Sequence, residues 1–269
     1  MPGTLLSSRR VLPPLPPVWA LRRLTMGTNV AIDRLAMRAK PPGMPVMHQE
    51  WDDLLFMHWP VSADLLRPLV PATFELDTFE GQTWIGITPF ALRNLHLTSL
   101  PPVPGLNAFD ELNVRTYVLY NGVPGIWFFS LDASKLVAVV AARVFFMLPY
   151  HRASIEFSAE AGSHHFKLHR STTPEAEFEA VWRVGLRLRA PDLESLAFFL
   201  VERYCYFAIN NGQVFQTRVY HAPWILDEAL LQTHRSTMIS AAGIPEPASE
   251  PLAHFSRHLA VEVWPPTPA

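Results

Sequence analysis

Leu112-Asn113-Val114-Arg115-Thr116-Tyr117-Val118-Leu119-Tyr120 alternates in character, Asn121-Gly122 interrupts it, and Ile126-Trp127-Phe128-Phe129-Ser130-Leu131 resumes it. Asn-Gly between two such runs is the strongest short-range hairpin signal, because a two-residue type I′ turn needs positive φ at both of its central positions. On the first strand, period two puts Glu111, Asn113, Arg115 and Tyr117 on one side and Leu112, Val114, Thr116 and Val118 on the other. The second set reads as core. The first is a row of an acid, an amide, a base and a phenol. Facing water, it is an ordinary wet strand face. Facing into a closed sheet, its charges must be paired or used. The strand rise separates the Cα atoms of Glu111 and Arg115 by about 13 Å, so they would meet a ligand between them sooner than each other.

Strand and turn signals continue on both sides of the hairpin. Trp51 to Trp59 is apolar and aromatic, Ser62 caps a short helix through Leu69, and Thr83 to Phe90 reads as a strand after the Glu80-Gly81 turn. Downstream, Asp132 or Ser134 is expected to cap a helix from Lys135 to about Phe146, which Pro149 ends. Helical spacing presses its Leu136, Val139, Val140 and Arg143 side on the sheet. Ala153 to Ala159 and Ser163 to His169 read as strands around Ala161-Gly162, and Phe178 to Val184 alternates as a half-buried strand. Asp192 is expected to cap a helix through about Tyr204. Val214 to His221 reads as a strand, Pro223 as the start of a short helix to Leu231, and His258 to Trp264 as a closing strand. The pattern predicts an α+β fold: a largely antiparallel sheet of eight or more strands, curled or closed to remove its edges, with three or four short flanking helices. A curled sheet has an inner face, and polar residues on it mark a pocket.

Composition narrows the function classes. The 269 residues are 49% hydrophobic and 17% charged, enough for a sizeable core and incompatible with a wholly disordered chain. A formal net charge of −2 gives no global attraction to nucleic acid. The single cysteine, Cys205, excludes an intrachain disulfide scaffold and Cys-based metal sites, and it fits a reducing, cytoplasmic location. The longest apolar run, Leu136 to Leu148, is interrupted by Arg143 and is too short to span a bilayer. Residues 1–40 carry a charge of +6 and the remainder −8. Residues 1–45 are read as a Pro- and Arg-rich flexible extension ahead of a single domain over 46–269. Its Arg-rich, acid-poor character resembles a targeting segment, and Met26, Met37, Met44 and Met47 offer later starts that would make it dispensable.

The remaining candidates are single residues. Arg143 inside an apolar helix needs a carboxylate or carbonyl partner, for which Asp132 and Glu111 are the candidates. The result is either an ion pair locking helix to sheet or a carboxylate-binding arginine. The histidines, including the groups His164, His165, His169 and His254, His258, follow no metal-ligand pattern, so no metal is expected. Nucleophile-elbow, phosphate-loop and dinucleotide-binding motifs are missing, and no cofactor is implied. Cys205 and the Trp127-Phe128-Phe129 cluster read as packing. Lysine is scarce, with only Lys40, Lys135 and Lys167.

A set of segments in order carries a family resemblance: Phe56-Met57-His58-Trp59-Pro60-Val61, Asp77-Thr78-Phe79-Glu80-Gly81, Phe109 to Val118, Gly125 to Ala133, Ala142-Arg143, Leu148-Pro149-Tyr150, Glu202-Arg203-Tyr204 and His221-Ala222-Pro223-Trp224. Over about residues 48–265 the chain resembles the YqjF-like family of uncharacterised bacterial proteins, which is similar to the acetoacetate decarboxylase-like superfamily. The resemblance implies a curled antiparallel β structure around an internal cavity. It also implies, for the decarboxylases, a cavity lysine that forms a Schiff base with a β-keto acid, its amine kept neutral by a neighbouring cation and desolvation. Glu111 matches a cavity glutamate. The lysine pair would fall near Leu148-Pro149-Tyr150-His151, where this chain has none; Lys135 is at the wrong end of the helix and Lys167 on a later strand. Decarboxylation by that route is therefore not expected.

The expectation is a cavity that takes a small carboxylate- or carbonyl-bearing ligand, with Glu111, Arg115 and Tyr150 as candidate catalytic groups and His58, Asn113 and Arg143 as ligand-binding groups. The partner is a small organic acid or carbonyl compound, without nucleic acid, membrane, cofactor or metal, and a homo-oligomer stays open. Two alternatives differ in class. A lyase or aldolase-like enzyme acting on an oxo acid needs a cavity lysine. A structural or interaction protein needs Glu111 and Arg115 to face solvent or a subunit interface.

Overall fold

The alternating runs of β-branched and aromatic residues become strands wherever one face can be buried, and the computed structural model, which describes residues 32–269, has fourteen of them. In chain order they are β1 (Met47–Val61), α1 (Ala63–Leu66), β2 (Glu75–Leu76), β3 (Thr83–Leu97), β4 (Phe109–Tyr120), β5 (Val123–Ala133), α2 (Leu136–Phe145), β6 (Tyr150–Arg152), β7 (Ser154–Glu160), β8 (Ser163–Arg170), β9 (Ala176–Arg187), α3 (Leu196–Val201), β10 (Cys205–Asn210), β11 (Gln213–His221), β12 (Asp227–Ser236), α4 (Met238–Ala241), β13 (Leu252–Val263) and β14 (Thr267–Pro268). Residues 1–31 of the expected 1–45 extension lie outside the described residues, and over that stretch so do the targeting and dispensable-tail readings. Among the described residues no helix is long and apolar enough to cross a membrane.

The Asn121-Gly122 hairpin forms as expected between β4 and β5, with φ of 51° and 78° at its two turn positions. The neighbour order β11-β10-β5-β4-β3-β1-β13 closes on itself because β11 also pairs with β13. That ring is the curled sheet the pattern predicts, and closure removes the edges of its strands. From β13 the sheet runs on through β12, β9, β8 and β7. This outer layer covers the outside of the ring: Phe166, Phe178 and Trp182 pack with Leu55, Met57, Ile85, Leu112 and Val114 in one fully buried cluster. Each such large apolar side chain contributes roughly 1.5–3 kcal/mol when buried. β4 is consequently buried on both faces, Leu112 and Val114 outward against this layer, Glu111, Asn113 and Arg115 inward.

Three helical expectations change. α2 begins after Lys135 with no side-chain cap, because Asp132 is held by Arg170 and the Ser134 hydroxyl accepts from the Asp110 N–H. It turns Ala138, Val139, Ala142 and Phe146 to the core, where the small alanines permit close approach, and leaves Leu136 and Val140 more than half exposed. α3 is capped by Ser195 and stops at Val201, and Cys205 opens β10 instead of ending a helix. Pro223 starts no helix. Asp227 to Ser236 pairs with β9 as β12. α2 serves as the crossover joining β5 to β6, whose pairing is parallel and therefore needs such a connection.

Candidate functional site

Four side chains of the hairpin region converge on the interior of the ring. Glu111, Asn113 and Arg115 project inward from β4, and Thr88 on β3 stands beside Asn113 in the register. β6 lies beside the end of β5, Tyr150 opposite Leu131, and from there the Tyr150 hydroxyl donates to Glu111 Oε2 at 2.8 Å. These groups line a cavity of about 600 Å³ whose other walls are mostly apolar and aromatic, among them Phe90, Phe109, Phe128, Leu131, Tyr206 and Trp224. The choice left open by the sequence between a wet strand face and an enclosed one is thus decided: Glu111, Asn113 and Arg115 are only 3%, 6% and 7% exposed.

Arg115 is the chemically exceptional member. Its guanidinium lies 5.3 Å from the centre of the Phe56 ring, while its Nε and Nη2 are buried and meet no acceptor. Among the described residues no carboxylate lies within 4.0 Å of it. The Asn113 Oδ1 and Thr88 Oγ1 are likewise buried without partners. A buried cation with unfilled N–H groups is costly unless an anion completes it.

Glu111 is the opposite case. Burial raises its carboxyl to about 8 against the Tyr150 hydrogen bond, which opposes the shift, and the nearby Asp132 charge adds to it. At neutral pH the group is mainly a neutral acid, with a proton to donate. Burial, and then Glu111 itself, push the Tyr150 hydroxyl well above its ordinary range.

His58 stands behind this wall, fully buried, and is not among the lining residues. Its Nε2 lies 2.7 Å from the Tyr117 hydroxyl, which gives its own proton to the Leu200 carbonyl at 2.8 Å. Nε2 therefore carries the hydrogen and Nδ1 the unpartnered lone pair. Burial first, then the Arg115 and His254 charges, hold the ring far below its ordinary protonation range. Gly86 makes room for it: a Cβ there would come within 2.8 Å of the imidazole.

Arg143 is separated from the cavity residues. It is exposed on α2, donates from Nε to the Tyr150 carbonyl at 2.6 Å, and lines a different, more open groove. Neither expected carboxylate partner reaches it. Asp132 instead takes two 2.6 Å hydrogen bonds from Arg170, which continues the inward alternation of β8 after Phe166 and Leu168 but is charged where the pattern would place an apolar residue. Arg203, on the segment after α3, is a further cavity residue that spacing did not single out. It bonds Asp77 at 2.7 Å and lies 4.7 Å from the centre of the Tyr117 ring. Burial would raise the Asp77 carboxyl, but Arg34 and Arg203 together hold it below its ordinary value.

The lysines stand away from the interior. Lys135 lines the cavity only at its solvent-exposed rim, Lys40 pairs on the surface with Glu262 at 2.6 Å, and Lys167 is exposed on β8. Among the described residues, one trio of possible metal ligands, Glu50, Asp52 and His258, brings three donor atoms within 4.8 Å of one another. Asp52 and His258 are already bonded to each other there at 2.6 Å.

Against known proteins, residues 48–260 match the model of the DUF2071 family, described as "Uncharacterized conserved protein". The chain is similar to "Uncharacterized protein YqjF" of Bacillus subtilis strain 168, with 41% identity over 225 residues, 84% of this chain and 93% of that one. Among solved structures it is similar to the enduracididine biosynthesis enzyme MppR complexed with pyruvate, with a TM-score of 0.58 at 13% identity over 84% of this chain and 91% of that one. It is also similar to an acetoacetate decarboxylase-like enzyme from Sphingomonas wittichii RW1, with a TM-score of 0.57 at 12% identity over 84% and 94% of the two chains. At these identities the two solved structures share its fold.

Proposed function

The chain belongs to the DUF2071 family, and from that membership and the lining of its cavity we propose that it binds a small carboxylate- or carbonyl-bearing ligand inside the ring, without a Schiff-base lysine. The observation that carries this reading is Arg115: a buried guanidinium facing the cavity with Nε and Nη2 unpartnered. A carboxylate oxygen pair matches two adjacent N–H groups of a guanidinium. Beside it the Thr88 hydroxyl can donate to the same ligand, whereas the unpartnered Asn113 Oδ1 accepts and suits a donor group on the ligand. Glu111, neutral and bonded to Tyr150, is suited to donate a proton to a carbonyl oxygen, so acid–base chemistry needs no covalent step.

A thermal-shift panel of small carboxylates, oxo acids and neutral carbonyl compounds tests the reading. Acids are expected to raise Tm in the native protein, by about 2.7 kcal/mol of stabilisation at a hundredfold excess over Kd, and Arg115→Met to abolish the rise. An unshifted Tm across the whole panel defeats it.

A second reading, a lyase or aldolase-like enzyme on an oxo acid, is favoured by one observation: Lys135 stands at the cavity rim. Borohydride trapping with a 2-oxo or 3-oxo acid, followed by mass spectrometry, should then add mass at Lys135. An unmodified chain removes this option.

A further inference from the structure

The cavity wall is polar along β4 from Glu111 to Arg115 and mostly apolar elsewhere, with Gln49, His96 and Lys135 among the polar exceptions in the remaining lining. Along β4, Phe109 lies nearest the loop after β3, and Arg115 lies six residues further in, about 20 Å by the strand rise. Beyond Arg115 the row ends on Tyr117, whose hydroxyl is closed off by His58 and Leu200. The opposite end is walled by the loop after β3 and by α2. Leu97, Leu100, Val103, Leu106 and Phe145 line the cavity there while remaining 44–70% exposed. Soluble proteins seldom leave such a cluster in water without a use for it.

The volume points the same way. About 600 Å³ corresponds to roughly twenty waters at about 30 Å³ each. An acid of two or three carbons would occupy the Arg115 end and leave most of the apolar length unfilled. A ligand that satisfies the guanidinium and also removes the apolar walls from water must be amphiphilic.

We propose that the ligand is a fatty acid of medium to long chain, held with its carboxylate on Arg115 and its alkyl chain running past Phe109 to the apolar rim. The proposal rests on the carboxylate reading above and narrows it to a substrate class. The chain enters between α2 and the loop after β3, and the rim leucines and Phe145 cover its end.

Isothermal titration of the full chain with butyrate, hexanoate, octanoate, decanoate and dodecanoate tests it, each below its micelle concentration, with pyruvate and decanol as controls. Because each buried methylene is worth about 0.8 kcal/mol, Kd is expected to tighten by about fourfold per added carbon. Decanol is expected to bind at least tenfold more weakly than decanoate. Replacing exposed rim residues, as in Leu100→Gln and Phe145→Gln, leaves the fold intact and is expected to weaken decanoate while sparing butyrate. A Kd independent of chain length, or pyruvate binding as tightly as decanoate, overturns the fatty-acid assignment and leaves the carboxylate reading standing. Decanol binding as well as decanoate, or no acid binding at all, overturns both.

Discussion

Two buried arginines of this protein have opposite surroundings. Arg170, 1% exposed at the end of β8, gives Nε and Nη2 to the two oxygens of Asp132 at 2.6 Å and bonds Ser130 as well at 3.0 Å. The pair ties the outer layer to the end of β5. Arg115, 7% exposed on β4, has an aromatic ring beside it and no acceptor at Nε or Nη2. Burial is alike in the two and partners are not. An internally completed charge does structural work, whereas one left incomplete beside a cavity is available for a ligand.

The contrast breaks most readily at Asp132. Asp132→Asn leaves Arg170 buried without its counter-charge and is expected to cost about 3–5 kcal/mol in urea unfolding. A loss below about 1 kcal/mol would mean that the pair is not the tie between the layers.

Glu111 supplies the next effect. Its carboxyl titrates near 8 in the folded chain and near 4.5 in the unfolded one, so the folded state holds the extra proton between these values. Stability is therefore greatest below about 4.5 on account of this group and falls as pH rises towards 8. Glu111→Gln is expected to flatten that decline, by roughly 3–6 kcal/mol over the window, and to match the native protein at its acid end. Tm against pH for the two proteins checks it, and parallel curves would refute a neutral Glu111.

Arg115→Met is expected to change stability by no more than about 1 kcal/mol, and in the favourable direction, because it removes an uncompensated charge. The same variant should lose carboxylate-induced stabilisation. A destabilisation as large as that of Asp132→Asn would show that Arg115 has internal partners after all and would erase the distinction between the two arginines. The smallest effect belongs to Arg143→Ala, which removes an exposed side chain with one carbonyl contact and should cost at most about 1 kcal/mol.

Much of the architecture was legible because it depends on local rules. The Asn121-Gly122 turn, the alternation in β4 and β9 and the strands around Ala161-Gly162 follow from φ preferences and period two, which act within a few residues. The misread segments were those where tertiary pairing overrode local preference. Leu196 to Asn210 divides between α3 and β10, and Asp227 to Ser236 joins β9 as a strand, although caps and Pro223 suggested helices. Arg143 departs from the expected inward side because periodicity in a helix that is apolar nearly all round does not fix which face meets the sheet.

The sequence by itself determined that Glu111, Asn113, Arg115 and Tyr117 share one side of a strand in a largely antiparallel sheet, because side-chain direction in a strand is set by covalent geometry. It could not determine whether that side meets water, another layer or a hollow, nor which acid completes which arginine. Those outcomes depend on residues far apart in the chain: on β11 closing the ring against β13, on Tyr150 reaching Glu111, and on Arg170 claiming Asp132. Only folding brings such groups within the few ångströms at which burial and hydrogen bonding act.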